Sequence, residues 1–84
     1  MKNLTADLKA RKFVAGVRQV NRYIRENKIS KIYLAADCQH SFSRQVSDMA
    51  NSAGVPLVVC GSRAEFASLV GIDVLCAVIG ILKD

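Results

Sequence analysis

Apolar residues recur along this chain with two alternating spacings, one suited to helices and one to strands. Leu4 and Leu8, four positions apart, predict a short helix over residues 4–9 with Asn3 as its cap. Phe13, Val14 and Ala15 form a brief apolar stretch closed by Gly16. Over residues 17–27, Val17, Val20 and Ile24 fall on one face of a helix. Residues 32–36 read as a buried strand that ends in the polar cluster Asp37, Cys38, Gln39 and His40. Phe42, Val46, Met49, Ala50 and Ala53 return to helical spacing, and Gly54 suits the left-handed residue after a helix. Pro56 opens a strand over 57–60. Ser62-Arg63-Ala64-Glu65 has the S-x-x-E form of a capping box, which predicts a helix through Phe66, Leu69 and Val70 stopping at Gly71. A last apolar strand runs over 76–82.

Helices alternating with apolar strands predict an α/β fold, a three-layer α-β-α sandwich with three clear strands and the short Phe13 stretch. The chain has 84 residues, 51% hydrophobic and 23% charged, with one Pro and five Gly, which fits one compact domain over residues 1–84 and excludes a disordered or collagen-like chain. The longest apolar run, residues 74–82, is too short to cross a bilayer. The polar start of the chain does not read as a secretory signal, so a cytoplasmic location is expected and no membrane partner.

Charge is unevenly distributed along the chain. Twelve Lys and Arg stand against seven Asp and Glu, and nine of those cations, with only two acids, lie in residues 1–31. Such an excess on one part of a small domain predicts a cationic face, for which phosphate is the commonest partner; colloidal solubility is the bland alternative. Arg18, Arg22 and Arg25 form a stripe about 130° around the second helix from its apolar face. No acid stands on the stripe, although Glu26 is four residues from Arg22. Gly16 leaves room at the start of this helix, where backbone N–H groups attract anions or an electron-rich base edge. Arginine can also grip guanine O6 and N7 with two hydrogen bonds. On this feature alone an ordinary solvated helix face is the commoner explanation, because such stripes are frequent on protein surfaces.

Enzymatic motifs are few. Cys38 and His40 are two residues apart, but the sequence offers no third residue to orient a base, and a polar loop accounts for them better. Cys38, Cys60 and Cys76 are odd in number and widely spaced, which argues against a disulfide framework or a metal site. Cys60 and Cys76 read as small buried hydrophobes. Asp37, after a strand and before a helix, reads as a capping carboxylate.

Taken in order, Gly16-Val17-Arg18-Gln19-Val20-Asn21-Arg22, Ile32-Tyr33-Leu34-Ala35-Ala36-Asp37 and Gly71-Ile72-Asp73-Val74-Leu75-Cys76-Ala77-Val78-Ile79 resemble the kink-turn RNA-binding ribosomal proteins of the L-seven-Ae and L-thirty-e type. Gly54-Val55-Pro56 and Gly61-Ser62-Arg63-Ala64-Glu65 fit the same pattern, and the short bacterial members are most similar. The resemblance implies a mixed four-stranded sheet with three loops meeting at one end. It implies that Gly16, Arg18, Gln19 and Arg22 enter the widened groove of a kink-turn and contact its tandem sheared G·A pairs. Ile72, Asp73, Val74 and Leu75 would then form a hydrophobic loop against extruded bases, and Asp37 would buttress or cap the site. Ala36 departs from a usually polar position, and Leu75 is bulkier than the family's residue. The expected partner is RNA containing a kink-turn, ribosomal RNA or a riboswitch-like leader, with the ribosome as a further partner. No cofactor is expected, and the chain is read as a monomer that is not an enzyme. Two alternatives stay open: a ribosome-associated protein acting through protein contacts, and an enzyme using Cys38 and His40.

Overall fold

The computed structural model describes residues 2–10, 12–71 and 76–83. Its elements are helix α1 (Lys2–Ala10), strand β1 (Phe13–Ala15), α2 (Val17–Arg25), β2 (Ile29–Leu34), α3 (His40–Ala53), β3 (Leu57–Val59), α4 (Arg63–Val70) and β4 (Val78–Leu82). The strands form one sheet in the order β1-β4-β2-β3. Strand β4 is antiparallel to β1 and β2, whereas β2 and β3, joined through α3, are parallel. A helical crossover is what lets consecutive strands run in the same direction.

Successive side chains of a strand point to opposite faces, and here both faces are covered. Tyr33, Ile79 and Ile81 pack with Leu4, Phe66 and Ala67 beneath α1 and α4. Ile32, Leu34 and Val78 pack with Val20, Val46 and Ala50 beneath α2 and α3. The expected sandwich with a mixed four-stranded sheet is therefore what the chain builds. Gly80 lets α2 approach closely: a Cβ there would stand 2.9 Å from Ile29 Cδ1 and 3.2 Å from Val20 Cγ2.

Several boundaries differ from the sequence reading. Asn3 lies inside α1 rather than capping it, because the helix already includes Lys2. Helix α2 stops at Arg25, not 27: Glu26 and Asn27 turn back to the carbonyls of Arg22 and Ile24, and Asn27 is left-handed (φ 57°). Strand β2 starts at Ile29, three residues early, because of a bulge. Ile29 pairs with Leu82 and Lys31 with Ile81, leaving Ser30 as the extra residue, its hydroxyl donating to Ile81 O at 3.1 Å. The bulge lets Ile29 and Ile32 face the same layer although three positions separate them. The strand also ends early, at Leu34, where the chain turns through Ala36 and Asp37. Strand β3 ends at Val59, one residue short of the reading, and β4 begins at Val78 rather than 76. Helix α4 buries Phe66 and Ala67 but leaves Leu69 exposed; Cys76 is buried and Cys60 only half-buried.

One polar cluster pins α1 to the sheet. The Tyr33 hydroxyl donates to Asp7 Oδ2, while Lys31 Nζ donates to Asp7 Oδ2 at 3.2 Å and to Tyr33 Oη at 3.3 Å. Burial, then the bond to Asp7, pushes the phenol pKa up, and hydrogen bonds to Tyr33 and Asp7 raise that of Lys31.

Candidate nucleic-acid interface

Four segments are tied together at one end of the sheet by their backbones. Gly16 N–H donates to Val78 O at 2.9 Å, Ala35 N–H to Ala77 O at 2.8 Å, Ala36 N–H to Gly61 O at 3.0 Å and Cys76 N–H to Arg63 O at 3.3 Å. The start of α2, the turn after β2, the start of α4 and the entry to β4 thus share one end. Ile72, Asp73, Val74 and Leu75 lie outside the described residues, but the segment that follows them, residues 76–78, is bonded directly to Gly16 and Arg63.

Helix α2 opens at Gly16, whose φ of 93° and ψ of 148° suit glycine and no ordinary side chain. Among the described residues, nothing lies within 4 Å of where a Cβ would stand. Gly16 has no side chain to cap this helix, so among the described residues no side-chain cap meets the amides of its first turn. Arg18 and Gln19 are exposed beside them, and Val20 faces the core. Further along, Arg22 is not the unpaired cation the stripe implied. Its Nε donates to Glu26 Oε2 at 3.3 Å, and Lys28 Nζ lies 3.1 Å from Glu26 Oε1. Hydrogen bonding from Lys28, and after it from Arg22, holds the Glu26 carboxyl below the usual carboxylate range. The Arg22 side chain remains 70% exposed, so the pair can open toward a stronger anion.

Asp37 is a cap, but of a different helix from the one that follows it. Its Oδ1 accepts from the backbone N–H of Arg63 at 2.9 Å, at the first turn of α4. The Ser62 hydroxyl accepts from Glu65 N–H at 3.1 Å, so the capping-box serine acts as its spacing predicts. Helix α3 starts after Gln39, whose own side chain does not cap it. Asp37 was expected to cap from its place before α3; the turn after β2 instead aims it sideways, at α4.

Between these turns lies a hollow of about 210 Å³, lined by Cys38, Gln39, Phe42, Arg63 and Ala77. Sequence reading singled out Arg63 and Ala77 only within motifs, because no spacing shows that residues 38, 63 and 77 meet. Arg63 Nε stands 3.6 Å from Asp37 Oδ1, and among the described residues this buried N–H meets no hydrogen-bond acceptor. A buried donor without an acceptor is costly, and an acceptor arriving in the hollow would satisfy it. Cys38, on the wall, donates its thiol to Ala35 O at 3.1 Å, and His40 is the exposed first residue of α3.

A profile of the ribosomal protein L7Ae/L30e/S12e/Gadd45 family matches residues 1–84. The chain is 30% identical over 76 residues to the RNA-binding protein GK0100 of Geobacillus kaustophilus (strain HTA426), covering 90% of this chain and 93% of that protein. An RNA-binding protein of Geobacillus thermodenitrificans (strain NG80-2) is equally similar, at 30% identity with the same coverage. Among solved structures, a protein of unknown function from Bacillus halodurans C shares the fold with a TM-score of 0.81 at 22% identity, over 95% of this chain and 80% of that one. The Giardia lamblia 15.5kD RNA binding protein does so with a TM-score of 0.79 at 18% identity, over 95% of this chain and 68% of that one. With its whole length matched, this chain belongs to the ribosomal protein L7Ae/L30e/S12e/Gadd45 family.

Proposed function

We propose that this protein binds RNA with the end of the sheet where α2 starts, and that the RNA it selects is a kink-turn. The observation that carries the reading is the hydrogen bond from Gly16 N–H to Val78 O. It holds the amide-rich start of α2 against the strand entered from residues 72–75, so one ligand can meet both. Membership of the family and the names of the Geobacillus relatives support RNA as the ligand.

Each part has chemistry suited to a sharply bent strand pair. The amides of the first turn of α2 donate to a phosphate or to an acceptor on a base edge. Gln19 offers donor and acceptor together, which suits the guanine edges that face the groove. Arg18 and Arg22 neutralise phosphates that the bend crowds together, Arg22 by exchanging Glu26 for the RNA. The hollow receives a base pushed out of the stack: Phe42 supplies an apolar wall, and Arg63 Nε–H and Gln39 supply polar contacts to its edge. Asp37 acts through Arg63, by holding the start of α4 in place. Because kinked RNA is a minor state at low cation concentration, a protein that binds only that state shifts the population toward it. We place this activity in the cytoplasm, on ribosomal RNA or a structured leader.

The test is affinity for a kink-turn RNA against a copy whose G·A pairs are replaced by Watson–Crick pairs. The reading expects strong preference for the first, and Gln19→Ala to remove most of it. Equal affinity for both RNAs removes the kink-turn assignment.

A further inference from the structure

The opposite end of the sheet carries a second group of cations that the interface above does not use. Leu82 N–H donates to Lys12 O at 2.9 Å, and Lys83 N–H donates to Lys28 O at 2.7 Å. These bonds set Lys12, Lys28 and Lys83 side by side, just before β1, just before β2 and just after β4. Strands β1 and β2 run from this end toward Gly16 and Ala35, and β4 runs back. The lysines therefore stand roughly 20 Å from the turn after β2, by the rise of the six-residue strand and its flanks. All three are exposed, as are Lys9 in the last turn of α1 and Arg25 in the last turn of α2. Among the described residues nearby, Glu26 is divided between Arg22 and Lys28, Asp7 is engaged by Lys31 and Tyr33, and Lys83 Nζ donates to Asn27 Oδ1 at 2.9 Å.

We infer that this end is a second RNA contact surface, one that takes the phosphate backbone of duplex RNA without reading its sequence. Lysine is a hydrated point charge on a flexible stem, suited to phosphates rather than to base edges. A protein partner held tightly would want an apolar or aromatic anchor at the centre of the contact. The exposed large apolar side chains among the described residues, Val59 and Leu69, belong to β3 and α4, not to the lysine cluster. With one surface at each end, a single molecule can hold a bent element at one end while a duplex lies across the other. This inference rests on the family's RNA-binding character but not on the choice of kink-turns.

The experiment uses the full chain and two RNA probes: a plain A-form duplex without G·A pairs, and a kink-turn RNA with arms too short to reach the lysine end. Binding is measured over a series of salt concentrations for the parent protein and for a K9Q/K12Q/K83Q variant, which leaves the Arg22–Glu26–Lys28 ion pairs in place and whose thermal unfolding is checked to match the parent. The triple variant is expected to bind the plain duplex roughly tenfold more weakly at low salt, with the log–log salt slope smaller by about 2–3. Its affinity for the short kink-turn RNA is expected to stay at the parent value. Unchanged duplex binding overturns the proposal. Equal losses on both probes also overturn it, because the lysines would then belong to the first surface. If polyglutamate binds the parent more tightly than the duplex does and depends on the same lysines, the partner assignment is wrong. Should the parent protein show no preference for G·A pairs, the kink-turn reading fails while the duplex comparison still decides this one.

Discussion

Replacing Asp37 with alanine tests whether its carboxylate holds the binding end together. The change removes the Oδ1 acceptor that meets Arg63 N–H at 2.9 Å, and the negative charge beside the first turn of α4. Loss of such a cap costs about 1 kcal/mol, and loss of a charge at a helix start adds about 0.3–1 kcal/mol. The ion pair with Arg63, at 3.6 Å between side chains 42% and 47% exposed, adds little. The sum, about 1–2 kcal/mol, corresponds to a fall in Tm of roughly 5–15 °C for a domain of this size. Asp37→Asn keeps an oxygen acceptor and should recover the capping part, leaving a loss below about 1 kcal/mol. Urea and thermal unfolding of the three proteins at neutral pH provide the assay. If alanine unfolds like the parent, or asparagine is as damaging as alanine, the hydrogen bond is not what Asp37 contributes. On RNA, both variants should weaken binding to an RNA with an extruded base more than to one without, since Asp37 positions Arg63 rather than the α2 amides.

Other outcomes follow from single contacts. Glu26→Gln frees Arg22 and Lys28 from an exposed carboxylate, and should tighten RNA binding by up to about fivefold in a titration at low salt; weaker binding would mean that Glu26 orients Arg22 for its ligand. Tyr33→Phe leaves Asp7 and Lys31 paired at 3.2 Å but removes a buried hydroxyl bonded to a charge, a loss of about 1–2 kcal/mol in urea unfolding. Tyr33 and Lys31 both have folded pKa values raised above their ordinary 10.0 and 10.5. The stability they contribute is complete below pH 10 and is lost as pH rises through the folded values. The Tyr33→Phe variant should therefore decline less steeply than the parent in unfolding curves taken between pH 9 and 11.5. Gly80→Val forces a branched side chain against Ile29 and Val20, and should lower stability by about 1–3 kcal/mol or more; an unchanged Tm would show that α2 can move away from the sheet freely.

How legible each feature was follows from whether its cause is local. The α2 face made by Val17, Val20 and Ile24, the left-handed Gly54 and Gly71, and the Ser62 cap all arise from neighbours within one turn, so the sequence displays them. The start of β2 was hidden because the bulge at Ser30 breaks the two-residue alternation that marks a strand. The partner of Asp37 was hidden as well: a carboxylate after a strand is recognisable as a cap, but its helix begins 26 residues later. Arg18, Gln19 and Arg22 were visible as a cluster on one helix, although the Arg22–Glu26 pair was only a spacing until the geometry closed it. The hollow of Cys38, Gln39, Phe42, Arg63 and Ala77 joins three separate segments, and no single-segment pattern announces it.

The central claim is that the end formed by Gly16, Asp37, Arg63 and Val78 grips RNA in its bent form. Fluorescence energy transfer between dyes on the two arms of a kink-turn RNA, in buffer without divalent cations, measures this directly. Adding the protein should raise the transfer efficiency with the same midpoint as binding, and Gln19→Ala should shift both midpoints together. Binding that saturates while the arms stay extended would contradict the account.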